Sequence, residues 1–235
     1  MLGSVGILYN SSSELIGNFD RTEPWSFECW FYQTSLKGCA LASNMTADSA
    51  RRGWMVTLYT GRNIGMVLSN TDGSNFLAVR TASSQYVLNA WNHVVYTYDG
   101  SSTPSGIKCY INGVSKTLST LGNTLTGTIK SNNKLWLGHS NVYPYLNGRL
   151  DEVVIYKKVL TSAEVSQRYN SGNGTESLFS IGSAYVQFHL NETSGTVATD
   201  NVGGKNGVLI NNPSWGVGKL NNCIYLNGTQ FIEVA

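Results

Sequence analysis

Hydrophobic positions fall into short runs of β-branched and aromatic residues bounded by Gly, Asn, Asp or Ser, and they recur from one end of the chain to the other. Such runs lie near 25–33, 54–60, 63–69, 75–81, 92–98, 107–112, 134–138, 149–156, 184–190, 206–210, 223–227 and 230–234. Their length, composition and flanking turn formers predict strands. Trp91 to Gly100 followed by Ile107 to Gly113 spells a strand, a polar loop and a second strand closing on Asn112-Gly113, a pair that favours a two-residue type I′ turn.

One segment has a different pattern. Thr161-Ser162-Ala163-Glu164 is a capping box, with Thr161 as N-cap, while Leu160 and Val165 stand where a hydrophobic staple would. A short helix over 162–169 should follow and stop between Asn170 and Gly174. Many strands and a single helix predict an all-β fold, an antiparallel two-sheet jelly-roll sandwich, and the missing crossover helices exclude a parallel α/β architecture.

The Trp91–Gly113 segment together with Asn147-Gly148-Arg149-Leu150-Asp151-Glu152-Val153-Val154-Ile155-Tyr156 resembles the concanavalin A-like lectin/glucanase superfamily, in particular its laminin-G-like and pentraxin-like branch. In that family a Gly-x-(Ile/Leu)-Asp-Glu-Val strand, a following Tyr and a Thr-x-x-Glu helix close the module. The resemblance gives that place to residues 148–169. Residues 184–234, with Tyr185 to Gly195, Asn206-Gly207, Trp215, Gly218-Lys219 and Asn227-Gly228, resemble the opening of the same module, here placed after the remainder at 1–178.

The two ends share a spacing. Ile7-Leu8-Tyr9-Asn10 followed by Leu15 matches Ile224-Tyr225-Leu226-Asn227 followed by Ile232. The expected organisation is a single sandwich over 1–235 in permuted order, since sandwich termini often lie close together. Donation of the last strands to a neighbouring copy and a tandem array cut within a module are the alternatives, and donation would make the chain a homo-oligomer.

Composition narrows the partners. In 235 residues, 41% apolar and 11% aromatic residues supply a core, whereas only 13% are charged, against about 25% in ordinary globular proteins. The surface therefore rests on Ser, Thr, Asn and Gly, which suits a virion or extracellular surface. A net charge of +2 provides no basic stripe, so nucleic acid is not an expected partner. No run approaches the roughly 18 apolar residues that span a bilayer, and Met1 to Gly6 lacks the pattern of a signal peptide. Cys29, Cys39, Cys109 and Cys223 show no metal-ligand spacing and are expected as free thiols.

No catalytic residue is assigned. Retaining glycosidases of the resembled superfamily carry Glu-x-Asp-x-x-Glu on one strand, with carboxyl groups about 5–5.5 Å apart. That run is missing here, and the adjacent Asp151 and Glu152 are expected on opposite faces of a strand. Glu28 and Glu192 have no partner within reach by sequence, and His93 reads as a structural histidine. Calcium is an optional ligand, because the resembled domains often hold it in rim loops; Asp72 and Asp99 are the candidate metal ligands, with Asp48 and Asp200 behind them.

Sugar recognition needs an aromatic face beside amide, carboxylate or guanidinium groups. The loop Asn141 to Asn147 offers Asn141, Tyr143 and Tyr145 around Pro144, and the loop Asp48 to Trp54 offers Arg51, Arg52 and Trp54. The expected function is a non-catalytic, lectin-like adhesion module that binds carbohydrate or another cell-surface ligand through end loops. A structural protein, such as a phage decoration or fibre component making virion contacts through exchanged strands, is the alternative, and a glycoside hydrolase comes third.

Overall fold

The computed structural model describes residues 15–178 and 184–235, so Ile7 to Asn10, one half of the repeated spacing, lies outside the described residues. Along the chain the strands are β1 (Trp25–Gln33), β2 (Cys39–Ser43), β3 (Gly53–Leu58), β4 (Ile64–Thr71), β5 (Asn75–Thr81), β6 (Trp91–Tyr98), β7 (Ile107–Ile111), β8 (Val114–Lys116), β9 (Leu118–Asn123), β10 (Leu135–Leu137) and β11 (Asn147–Tyr156). The helix α1 (Ser162–Tyr169) follows, and then β12 (Ala184–Phe188), β13 (Val197–Ala198), β14 (Gly207–Ile210), β15 (Ser214–Val217), β16 (Asn222–Asn227) and β17 (Phe231–Val234).

These strands form two antiparallel sheets. One runs β15-β16-β11-β1-β6-β7-β8, with β12 also on β11; the other runs β13-β14-β17-β10-β2-β3-β4-β5-β9. Residues from 184 onward thus add strands to both sheets, and β16 and β17 pair with β11 and β10 of the same chain. Asn112 and Gly113 both have positive φ, as a type I′ turn requires, and they join β7 to β8.

Inward-facing residues of the two sheets meet in one core that includes Phe27, Phe31, Trp54, Tyr96 and Ile155. Its aromatic centre is Trp25, 4.6 Å from Trp54 and 5.2 Å from Phe19 between ring centroids. All four cysteines are free and buried.

Strand β1 is buried on both faces, and α1 reaches its outer side through Arg168 on Glu28 and Tyr169 stacked on Trp30. The capping box forms: the Glu164 amide donates to Thr161 Oγ1 at 3.3 Å, and the Thr161 amide donates to the Glu164 carboxylate at 2.8 Å. Leu160 and Val165 pack with Val95, Val154 and Tyr156, so the staple residues become part of a second apolar cluster outside the sandwich. Asn170 ends the helix in the left-handed conformation, with φ of 48°.

Candidate functional site

Strand alternation sets an aromatic surface on the outer face of the nine-stranded sheet. In β10, Leu135 and Leu137 point inward and Trp136 outward; in β17, Ile232 and Val234 point inward and Phe231 and Glu233 outward. Trp136 Nε1 donates to Glu233 at 3.1 Å, and Lys134 pairs with the same carboxylate at 2.6 Å. The loop after β10 folds back over this face. Gly138, with φ of +81°, begins the turn where a Cβ would meet the Leu226 side chain at 2.5 Å.

Internal hydrogen bonds fix the loop. Ser140 Oγ accepts from the amides of Val142 and Tyr143 at 3.2 and 2.8 Å. Asn141 Nδ2 donates to the Met45 carbonyl at 3.1 Å. Tyr145 consequently stacks on His139, with centroids 4.0 Å apart and planes 7° apart, and His139 lies 4.8 Å from both Trp136 and Phe231. Burial lowers the His139 pKa to about 4, so this ring is neutral at neutral pH.

On the other side of the loop, Tyr143 meets Tyr59 edge-on at 5.7 Å, and the Arg80 guanidinium lies over Tyr59 at 5.2 Å. Tyr59 can lie flat because its neighbour is Gly65, where a Cβ would come within 2.8 Å of the ring. Between them opens a groove of about 430 Å³ walled by Leu36, Gly38, Tyr59, Tyr143 and Pro144, with Lys37 and Thr60 as its polar groups. Tyr143 and Tyr145 therefore belong to two separate aromatic groups: Tyr143 meets Tyr59 from the turn after β3, and Tyr145 meets His139 of its own loop and Phe231 of β17.

The second expected loop divides. Asp48 Oδ1 accepts from Thr46 Oγ1 and from the amides of Ala50 and Arg51, which fixes the turn and, through the Thr46 hydroxyl first, lowers the Asp48 pKa. Arg51 pairs with Asp72 at 2.8 Å. Arg52 lines an open polar depression of about 440 Å³ with Thr46, Asp48, Lys130, Ser131 and Asn132. Trp54 does not join them. It is fully buried, and its Nε1 donates to the Gly17 carbonyl at 2.6 Å, because Trp54, Val56 and Leu58 are the inward-facing residues of β3.

The acids are used internally. A bulge lies on β11, since Trp30 pairs with Asp151 but Glu28 pairs with Val154, and Glu152 takes a φ of 49°. The extra residue places Asp151 and Glu152 on the same outer face, contrary to simple alternation. Asp151 Oδ2 accepts from the amides of Lys219 and Leu220 at 2.7 and 2.9 Å. Burial, with the neighbouring Glu152 charge, raises its pKa to about 8. Glu152 is also raised by burial, and it accepts from His189 Nδ1 at 2.9 Å.

Glu28, far from being alone, is held by Arg168 Nε at 2.8 Å, His93 Nε2 at 3.0 Å and Tyr156 OH at 2.7 Å. Burial would raise its pKa, but the Arg168 charge and these hydrogen bonds hold it at about 2. Glu192 is likewise engaged, accepting from the Thr199 amide.

Asp72 is committed to Arg51, Asp99 accepts from the Ser101 amide, and Asp200 accepts from four backbone amides. Among the described residues no three His, Cys, Asp or Glu side chains gather at a metal-binding distance.

A sequence profile of the Concanavalin A-like lectin/glucanases superfamily matches residues 9–166, more than half of the chain, and the chain belongs to that superfamily. Adhesion G-protein coupled receptor D1 is 28% identical over 111 residues in Bos taurus and 29% over 92 residues in Homo sapiens. These matches cover 47% and 38% of this chain but 12% and 10% of the receptors, so the chain spans only about a tenth of their length.

Similar solved structures include a Bacteroides ovatus protein described as carbohydrate binding, with a TM-score of 0.56, 16% identity and coverage of 83% of this chain and 53% of that one. The Ruminococcus gnavus IT-sialidase CBM40 bound to α2,3-sialyllactose has a TM-score of 0.50 and 20% identity, with 61% and 80% covered. At these identities the likeness is one of fold.

Proposed function

Starting from that superfamily membership, we propose that the chain is a non-catalytic, lectin-like adhesion module that holds a glycan in the groove between Tyr59 and Tyr143. The observation that carries this reading is the pair of rings set at 86° around an open groove, with Pro144 stiffening one wall. One ring can take the apolar C–H face of a pyranose while Lys37 and Thr60 bond its hydroxyls. Carbohydrate-binding and adhesion proteins among the relatives agree with it.

This reading involves no turnover. What supports it is that Glu28, Asp151 and Glu152 are buried and hydrogen-bonded to their own partners among the described residues. On this reading no calcium takes part in holding the glycan; Asp72 pairs with Arg51 and Asp99 accepts from the Ser101 amide.

A glycan array tests the groove. Specific binding that falls about tenfold in Tyr143→Ala and Tyr59→Ala, with unchanged thermal unfolding and no effect of chelator, is the expected result. Silence across a broad array sinks it, as does hydrolysis of a bound glycan by the purified chain.

A second reading, an assembly module making protein contacts, is favoured by Val197 and Val208, which pair across β13 and β14 and are 42% and 51% exposed. The single permuted sandwich is supported by the pairing of β16 and β17 within their own chain. A folded monomer in dilute solution is expected, and unfolding that depends on protein concentration would point to exchanged strands instead.

A further inference from the structure

The outer face of the eight-stranded sheet carries a row that the groove does not use. Cross-strand register places Trp91, Tyr32, Arg149, Tyr225 and Ser214 side by side on β6, β1, β11, β16 and β15. The Arg149 guanidinium lies over Tyr32 at 4.6 Å and over Tyr225 at 4.3 Å, so the cation sits against two rings from the strands on either side. Tyr32 is braced in turn by Trp91, edge-on at 5.7 Å.

Contact with the rings does not use its five N–H donors, which lie along the edge of the guanidinium. Among the described residues, no carboxylate pairs with Arg149 and no acceptor takes a hydrogen bond from it. The next acid on its face, Asp151, is turned to the Lys219 and Leu220 amides. Arg149 opens into a depression of about 320 Å³ that includes Thr34, Asn147, Ser214, Asn227 and Gln230, and among the described residues no acid lines it.

We infer that this depression binds an anionic sugar, with the acid group of the sugar on the Arg149 edge and its hydroxyls among the surrounding hydroxyl and amide groups. A planar cation held between two rings loses little further freedom on binding, and its fork matches a carboxylate or a sulfate ester. Arg149 is a binding residue in its own right, and Tyr32 and Tyr225 position it. The site lies on the opposite sheet from the Tyr59–Tyr143 groove and stands whether or not that groove binds sugar.

Calorimetric titration of the full chain with four probes tests this: a sulfated heparin hexasaccharide, a glucuronate-containing hyaluronan hexasaccharide, neutral chitohexaose and a polyglutamate peptide. At least one anionic sugar is expected to bind more tightly than chitohexaose and polyglutamate, with affinity falling as salt rises. Binding of the sulfated probe alone identifies a sulfate ester, binding of the glucuronate probe alone a carboxylate, and both outcomes support the site.

Arg149→Gln is expected to weaken the anionic probe tenfold or more, and Arg149→Lys, which keeps the charge but not the plane, to restore only part of it. Tyr143→Ala is expected to leave this binding intact, which separates the site from the groove. Should the Arg149 variants fail to fold, ring-proton shifts of Tyr32 and Tyr225 in the unaltered protein on addition of the bound probe replace them. Equal affinity for chitohexaose or polyglutamate, no binding of either anionic sugar, full affinity in Arg149→Gln, or unmoved Tyr32 and Tyr225 resonances would overturn the inference.

Discussion

Replacing Asp151 by Asn is expected to flatten the pH dependence of stability between pH 6 and pH 9. The carboxyl is wholly buried, its Oδ2 is held by two backbone amides, and its Oδ1 has no partner. Burial first, then the Glu152 charge, raises the folded pKa to about 8, whereas the unfolded value is about 3.9. A pKa raised in the folded state gives stability that is complete below the unfolded value. That stability is lost as pH climbs through the interval up to the folded value.

Between pH 6 and pH 8 the unfolded chain is ionised at this position while the folded chain stays protonated. Each unit therefore costs about 1.4 kcal/mol, or about 3 kcal/mol by pH 9, with the slope levelling above pH 8. Asn keeps the shape and an acceptor oxygen for the Lys219 and Leu220 amides, and it does not titrate. Urea unfolding of both proteins at pH 6, 7, 8 and 9, followed by tryptophan fluorescence, gives the difference, from which groups common to both cancel. A difference that changes by less than about 0.5 kcal/mol over this range refutes the assignment of a buried, protonated Asp151.

Four further substitutions probe the frame, Arg51→Ala among them as the exposed control. Arg168→Ala strands the Glu28 carboxylate in the interior and is expected to cost about 3–5 kcal/mol in denaturant unfolding, against well under 1 kcal/mol for the exposed Arg51→Ala. Gly148→Ala puts a Cβ at 1.9 Å from the Tyr32 carbonyl and should separate β11 from β1, seen as a loss of the folded far-ultraviolet spectrum or a fall of about 3 kcal/mol or more. Trp54→Ala should cost about 3–5 kcal/mol through the cavity it leaves, whereas a surface ligand residue would cost binding and leave the melting temperature alone.

What could be read from the sequence was what is local in the chain. Thr161 and Glu164 specify the helix start by reaching each other across three residues, and Asn112-Gly113 specifies a hairpin without help from elsewhere. Strand β2, Cys-Ala-Leu-Ala-Ser, has no strand signal of its own because its small residues carry little β preference; it is a strand because Leu41 joins the main core while Ala40 packs with Met45 and Met55 on the outer side. Edge strand β9 is polar and exposed, and it owes its form to pairing with β5.

The site was partly readable. Tyr143, Tyr145 and Pro144 announced an aromatic loop, and His139 lies in that same loop, but Tyr59 and Phe231 reach it from other parts of the chain, and no spacing connects them. Arg52 does reach a polar depression, while Arg51 is tied to Asp72. Trp54 belongs to the core rather than the loop, and its own strand carries the signal: its parity is that of Val56 and Leu58. The faces of Asp151 and Glu152 were beyond reach, because the bulge that turns them together is set by the register against β1. Glu28 found its cation 140 residues downstream.

Strand β11 is shared along one side: Asn147–Leu150 bond to β16 and Val153–Tyr156 to β12, with the bulge between. Because β17 also covers β10, the segment from Asn222 to Val234 acts as a double stopper. Cutting the polypeptide before Asn222 would uncork both layers at once, baring backbone N–H and C=O groups on Asn147–Leu150 and Leu135–Leu137. Such a shortened product would scavenge a matching strand from a sister molecule and clump, and its rescue by an added peptide spanning the lost residues would show that closure here is a plug-in operation.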